Sequence, residues 1–277
     1  MSAGVEVALL GIGLVGPGLP AWAEGQRVLR GELPYAPVPT LVPPPQRLPA
    51  AERRRAGVAV KVALTVADAA CAQAGVDPAV LVTVFTSSSG DGANCHALCE
   101  TLANPPGPER LVSPTRFTNS VHNASAGYWH IAVGSQQAST SVCAHDDSFG
   151  AGLLAALTQL PAQGAPVLLV ASDAPYPEPL HAARPLPDCM GVAFVLASPA
   201  AAGTGPAQAR LRIRLLPQSA SGPVTPCREP ALEQLRASIP AARALPLLEA
   251  LARGEAAHIV LRASAKMALA IEVSSVA

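Results

Sequence analysis

The stretch from residue 7 to residue 32, VALLGIGLVGPGLPAWAEGQRVLRGE, decides how this chain is read. Residues 5 to 10 (VEVALL) are a β-prone run that opens into Gly11-Ile12-Gly13-Leu14-Val15-Gly16, and a helix candidate follows around Ala21 to Leu29. The pattern predicts strand, glycine turn, helix. Gly11-x-Gly13-x-x-Gly16 after a strand also fits the dinucleotide fingerprint, which would make the chain a nucleotide-binding oxidoreductase. Two details oppose that reading. Pro17 and Pro20 fall where the phosphate-facing helix should start and run, and no second strand ends in Asp or Glu at the required distance, since Glu32 follows a helix-like stretch. A structural turn is the simpler account.

Outward from this stretch, residues 34 to 50 are Pro-rich and read as a surface loop. From Ala51 to Ala74 the spacing of Val58, Val62, Leu64, Val66, Ala69 and Ala70 predicts one amphipathic helix with Arg53, Arg54 and Arg55 in its first turns. LVTVFTSSSG (81 to 90) reads as a buried strand running into a small-residue loop, followed by a helix near Cys95 to Leu102. Ser113 to Val133 should hold a loop and then a helix, and Ala138 to Cys143 a strand. A strand-to-helix junction at His145 to Ser148 leads into a helix over 149 to 160. VLLVASD (167 to 173) and GVAFVLASP (191 to 199) are further buried strands. The tail offers a strand (ARLRIRLL), a linker, a helix from about Pro230 to Arg253 and a last strand pair around 258 to 273. Continuous apolar strands alternating with helices argue for a layered α/β structure with a largely buried sheet.

Half of the 277 residues are apolar and only 3% aromatic, so a sizeable core must be built from Ala, Val, Leu and Ile. Nineteen basic residues balance nineteen acidic ones and are scattered, which argues against a nucleic-acid-binding face. The six cysteines form neither a disulfide framework nor paired CxxC spacing, so reduced thiols in the cytoplasm are expected. The apolar N-terminal stretch lacks a basic start, carries Glu6 and is broken by Pro17 and Pro20, so neither an export signal nor a membrane span is expected.

Several segments, taken in order, resemble β-ketoacyl synthases of the thiolase-like fold. Residues 7 to 32 are similar to the opening strand, glycine turn and helix of that family; ALTVADAACAQAGVD (63 to 77) resembles the helix ending in Ala-Gly. VFTSSSGDG (84 to 92) resembles the next strand and glycine loop, and SPTRFTNSVHNASAGYWHIAVG (113 to 134) the segment leading to the dimer contact and the active-site strand. MGVAFVLAS (190 to 198) resembles the strand closing the first half-fold. The resemblance covers about residues 5 to 200. It implies a ketosynthase N-terminal-like domain over residues 1–200, and residues 201–277 then form a short extension of strand, helix and strand packed on the same core.

A condensing enzyme of this family needs a cysteine at a helix start, where the helix N-terminus favours thiolate. Here the chain reads Ser141-Val142-Cys143-Ala144-His145-Asp146-Asp147-Ser148-Phe149. Gap-free counting from Asn123 and Gly134 puts Asp146 at the nucleophile position, and matching the pattern of Ala151-Gly152-Leu153 puts Phe149 there. Neither register supplies a thiol. Cys143 lies three residues early and reads as a buried strand cysteine, with Asp or Ser of the following cluster capping free helix N–H groups. The family's two C-terminal histidine patterns are also missing, and His258 is the only histidine after residue 200, in an apolar, strand-like run. Roughly 70 residues cannot hold a second half-fold.

The resemblance therefore implies a short, non-catalytic chain-length-factor-type protein, as in aryl-polyene and xanthomonadin-type pigment pathways. Such a protein pairs with an active ketosynthase and shapes the tunnel that takes an acyl chain on acyl carrier protein. Phe117, Thr118, Asn119, Val121, His122 and Asn123 are the expected contact with that partner, with Phe117 as a steric stop. The competing reading is an acyltransferase or starter-unit ketosynthase using Cys143, with His145 beside it. No cofactor or metal is expected. Cys95-His96-x-x-Cys99 lacks the second ligand pair that structural zinc uses.

Overall fold

The structure is a computed structural model, and it describes residues 4–202 and 207–274. The outer ends of the two expected segments, residues 1–3 and 275–277, and residues 203–206 lie outside the described residues. In chain order the elements are β1 (Val5–Val15), α1 (Trp22–Leu29), α2 (Ala50–Arg55), α3 (Val58–Ala74), β2 (Val82–Thr86), α4 (Gly92–Ala103), α5 (Pro114–Thr118) and α6 (Ala124–Val133). There follow β3 (Ser139–Val142), α7 (Ser148–Gln163), β4 (Val167–Asp173), α8 (Leu180–Ala183), β5 (Met190–Ala197), β6 (Ala209–Pro217) and α9 (Gln218–Ser221). The chain ends with α10 (Pro230–Ser238), α11 (Leu245–Arg253), β7 (Ala257–Arg262) and β8 (Met267–Ser274).

All eight strands join one mixed sheet in the order β3-β2-β4-β5-β1-β6-β8-β7. β2 runs parallel to β3 and to β4, and every other pairing is antiparallel. β1 is the hinge of the arrangement. Its first half pairs with β6 and its second half with β5, with a register shift between Leu9 and Gly11. β4 and β5 are buried along their whole length, because one apolar cluster with α3 and α6 covers one face and another with α1, α7, α10 and α11 covers the other. β6 instead alternates buried and exposed residues at its start, the signature of a sheet covered on one side only. Its open face carries Arg210, Arg212 and Arg214, with Arg212 bonded to Glu6 at 2.6 Å and Arg214 to Glu272 at 2.9 Å.

Three sequence expectations need correction. The run Gly11 to Gly16 is not a turn: the first five of these residues continue β1 to Val15. Its glycines serve packing, since a Cβ on Gly11 would lie 2.1 Å from the Ala70 carbonyl oxygen and one on Gly13 2.0 Å from that of Val66. α3 is laid backbone-on-backbone against β1, and no phosphate cradle exists there. The helix expected from Ala51 to Ala74 is two helices, broken at Ala56 and Gly57, which adopt extended conformations. The helix expected from Pro230 to Arg253 is also interrupted, by a short 3-10 turn over Pro240–Ala244. Pro230, Pro240 and Pro246 each stand in the first turn of a separate segment. A proline without N–H is at home there, and in a continuous helix it would clash with the preceding turn.

Candidate functional site

β2, β3 and β4 end on the same side of the sheet because they run parallel. The carboxyl ends of such strands are where open α/β sheets place their sites. Three loops meet there, after Thr86, Val142 and Asp173. Asp173, the last residue of β4, is 4% exposed and accepts hydrogen bonds from the backbone N–H of Ser88 and of Ala241, each at 2.8 Å. Burial pushes its carboxyl up, against the lowering effect of those bonds. It ties the loop after β2 to the turn before α11.

Between β3 and α7 lies a tight 3-10 turn, His145–Asp147, with His145 at φ 52. Its geometry differs from the expected capped helix start. Asp147, at the N-cap of α7, makes no side-chain capping bond, and the Ser148 Oγ accepts a bond from the N–H of Ala144 upstream, at 3.0 Å. The two carboxylates serve ion pairs instead. Asp146 accepts from Arg184 Nη2 at 2.6 Å and has the His145 Nδ1 3.4 Å away, while Asp147 accepts from Arg262 Nη2 at 3.2 Å. Burial pushes the Asp146 carboxyl up, but the Arg184 hydrogen bond and the charges of His145, Arg184 and Arg243 together hold it below the ordinary carboxylate range. Arg184 also donates to the Tyr176 hydroxyl at 2.9 Å, which lies 3.3 Å from the Ser88 hydroxyl.

Cys143 does not lie buried in the strand. It sits one residue beyond β3, exposed, and its thiol donates to the Ser88 carbonyl at 2.9 Å. That is its only hydrogen bond among the described residues. His145 is exposed with its Nδ1 3.4 Å from Asp146, and among the described residues it makes no hydrogen bond to the thiol. Phe149, the second residue of α7, is 1% exposed with its ring edge-on to Phe194. A cleft of about 350 Å³ opens beside this turn, with Arg236, Arg243 and Arg262 on its wall.

The expected partner segment is mostly at the surface. Phe117 is 69% exposed and Val121 50%, and Thr118, His122 and Asn123 are exposed too. Asn119 faces inward instead: its amide donates to the Arg55 carbonyl and its oxygen accepts from the Tyr128 hydroxyl, each at 3.0 Å. Leu102, Leu111 and Ile131 add to the exposed apolar side chains of this part of the chain. β3, the adjoining edge strand, has one neighbour, β2, among the described residues.

Cys95 and Cys99 are exposed on α4, and His96 pairs with Glu100 at 3.3 Å. Among the described residues no three His, Cys, Asp or Glu side chains converge on a metal position, and no helix is long and apolar enough to cross a membrane. His258 is exposed on β7, the other edge of the sheet. Asp173, Tyr176, Arg184, Arg243 and Arg262, which build this candidate site and which sequence reasoning missed, come from loops and strand ends far apart in the chain, and no local motif marks them.

A family model described as "Beta-ketoacyl synthase, N-terminal domain" matches residues 22–238. No curated protein matches. Among solved structures, a chain of "Ketosynthase (ApeO) in Complex with its Chain Length Factor (ApeC) from Xenorhabdus doucetiae" is 24% identical with a TM-score of 0.70, over 97% of this chain and 99% of that one. "The ishigamide ketosynthase/chain length factor" gives 16% identity and a TM-score of 0.72, over 98% and 99%. A third, the type II acyl-carrier protein in complex with its hexaketide-bound ketosynthase (AntDE:AntF), gives 11% and 0.70, over 99% and 100%. These likenesses establish a ketosynthase-like fold, and the family match assigns residues 22–238 to the N-terminal domain.

Proposed function

The chain belongs to the β-ketoacyl synthase N-terminal domain family, and from that premise we propose that it is a non-catalytic, chain-length-factor-type partner of an active ketosynthase. The observation that carries this reading is the start of α7. Condensation needs a thiolate there, and the positions around it hold two carboxylates locked to Arg184 and Arg262 and a phenylalanine buried in the core. The single-neighbour edge of β3 and the exposed Phe117 and Val121 support a partner-binding face. A heterodimer with the ketosynthase would place this face beside a tunnel that takes the acyl chain carried by acyl carrier protein. Residues 201–277 serve as a short extension, since β6, β7 and β8 continue the sheet begun by residues 1–200. The setting is the cytoplasm, in keeping with six unpaired thiols.

Co-expression with a type II ketosynthase from the same source tests the proposal. A stable one-to-one complex should form, and this subunit alone should neither condense acyl with malonyl thioesters nor decarboxylate malonyl thioester. The exposure of Cys143 favours a second reading, an acyl-transferring enzyme. Turnover by the isolated chain that is lost in Cys143→Ala would replace the first reading with this one.

A further inference from the structure

Arg243 stands on the wall of the cleft beside the α7 start without a carboxylate of its own. The ionisable groups on that wall are His145, Asp146, Asp147, Arg236, Arg243 and Arg262. Asp146 is held by Arg184 at 2.6 Å and Asp147 by Arg262 at 3.2 Å. Arg236 grips Glu233 through two bonds, at 2.6 and 2.5 Å. With these pairs set against one another, one fixed positive charge is left over, on Arg243. Its hydrogen bond among the described residues is a long one, Nη2 to the Ala237 carbonyl at 3.3 Å. Most of its five N–H donors therefore have no protein partner.

The arginine is also held in place. It sits on the Pro240–Ala244 turn, whose Ala241 N–H is anchored on the buried Asp173. Burial and the charges of Arg236 and Arg262 work against its ionisation, while Asp146 and Asp147 work for it. A half-buried guanidinium with open donors is built to grip a planar pair of oxygens. The cleft, at about 350 Å³, has room for about a dozen waters. Its remaining wall is apolar, from Val224 and Leu261.

We propose that this cleft binds a small monocarboxylate, its head on the Arg243 guanidinium and its short apolar body against Val224 and Leu261. Only one positive charge is left over on that wall, so a phosphate dianion would have its second charge unmatched and is the poorer ligand. The site depends on residues 243, 261 and 262, beyond the reach of the family match, and does not rest on the chain-length-factor reading.

The test uses the full chain, sodium butyrate as the probe and inorganic phosphate as the competitor. Phenylglyoxal modification of Arg243, mapped by peptide mass spectrometry, should slow saturably with butyrate while the exposed Arg210 reacts at an unchanged rate. Calorimetric titration of Arg243→Gln should show binding weakened about tenfold or more, with the thermal melt unchanged. Because protection is read on the unaltered protein, it decides the matter even where the variant fails to fold. Absence of saturable protection, equal protection by phosphate at the same concentration, or equal butyrate affinity in a folded Arg243→Gln would overturn the proposal.

Discussion

Cutting Phe117 to alanine should weaken the complex with the ketosynthase and leave the isolated subunit untouched. A phenylalanine side chain carries about 150–250 Å² of burial capacity. With 69% of Phe117 exposed in the free chain, roughly 100–170 Å² remains to be covered by a partner. At about 25 cal/mol per Å² this corresponds to roughly 2.5–4 kcal/mol of gross burial. Ordering of the contact takes back part of that. A net loss of about 2 kcal/mol, or a roughly 30-fold rise in Kd, is expected. Since so little of the ring is packed in the free chain, its unfolding free energy should change by no more than about 0.5 kcal/mol.

The control is Phe149→Ala. That ring is 1% exposed, and its loss should cost about 3–5 kcal/mol of subunit stability. Isothermal titration against the purified ketosynthase measures the first effect, and urea unfolding of each free variant measures the second. A folded Phe117→Ala subunit that binds within about twofold of the wild type would refute the placement of Phe117 at the interface. The products of the reconstituted pair carry a further readout. If the ring also limits chain growth, Phe117→Ala gives longer chains at similar yield, and unchanged lengths take it out of the tunnel.

Gly13→Ala would force a Cβ to 2.0 Å from the Val66 carbonyl oxygen, so it should cost about 1–3 kcal/mol or more in urea unfolding. Gly127→Ala, on the exposed side of α6 with nothing within 4 Å, should stabilise by about 0.4–1 kcal/mol; equal effects of the two would break the packing argument. Iodoacetamide on the native chain should label the exposed Cys95, Cys99 and Cys143. Cys71, pushed up to about 12 by burial, Cys189, pushed up to about 11, and Cys227, also raised by burial, should react only after unfolding. The Asp146 carboxyl is held below its ordinary range, so its ion pair stabilises the fold at neutral pH, and that contribution falls away as the pH drops below about 4 and passes through the lowered folded value. Asp146→Asn should therefore melt lower than the wild type at pH 7, with the gap closing toward pH 3. A gap independent of pH would show that the Arg184 pair is not its source.

The strands were legible wherever burial on both faces made them continuous apolar runs. VLLVASD predicts a strand over 167 to 173, and β4 has those bounds. Glycine misled the reading of β1, because a run with Gly at three positions looks like a turn when only its own sequence is considered. What it needs glycine for is α3, some fifty residues away, whose carbonyls occupy the space a Cβ would take. Periodicity likewise carried the helix prediction straight through Gly57 and Pro240. At both places a local backbone requirement overrode an apolar pattern that continued beyond it.

The turn before α7 explains why the two registers of this segment disagree. Gap-free counting assumed that β3 runs directly into the helix, and it landed on Asp146. Matching the helix pattern backwards landed on Phe149. The chain makes a 3-10 turn over His145–Asp147, with His145 in the left-handed region, so Asp146 falls inside the turn and the residue that opens α7 is Ser148. Ser148 uses its hydroxyl to hold Ala144 N–H and so fastens the turn. The acidic pair, read from the sequence as caps, could be understood only with its cations in view. Arg184 follows β4 and Arg262 ends β7, 38 and 115 residues away from their partners. With those cations in place, both carboxylates of the turn are engaged in ion pairs, and Arg243, on the wall of the same cleft, has no carboxylate partner among the described residues.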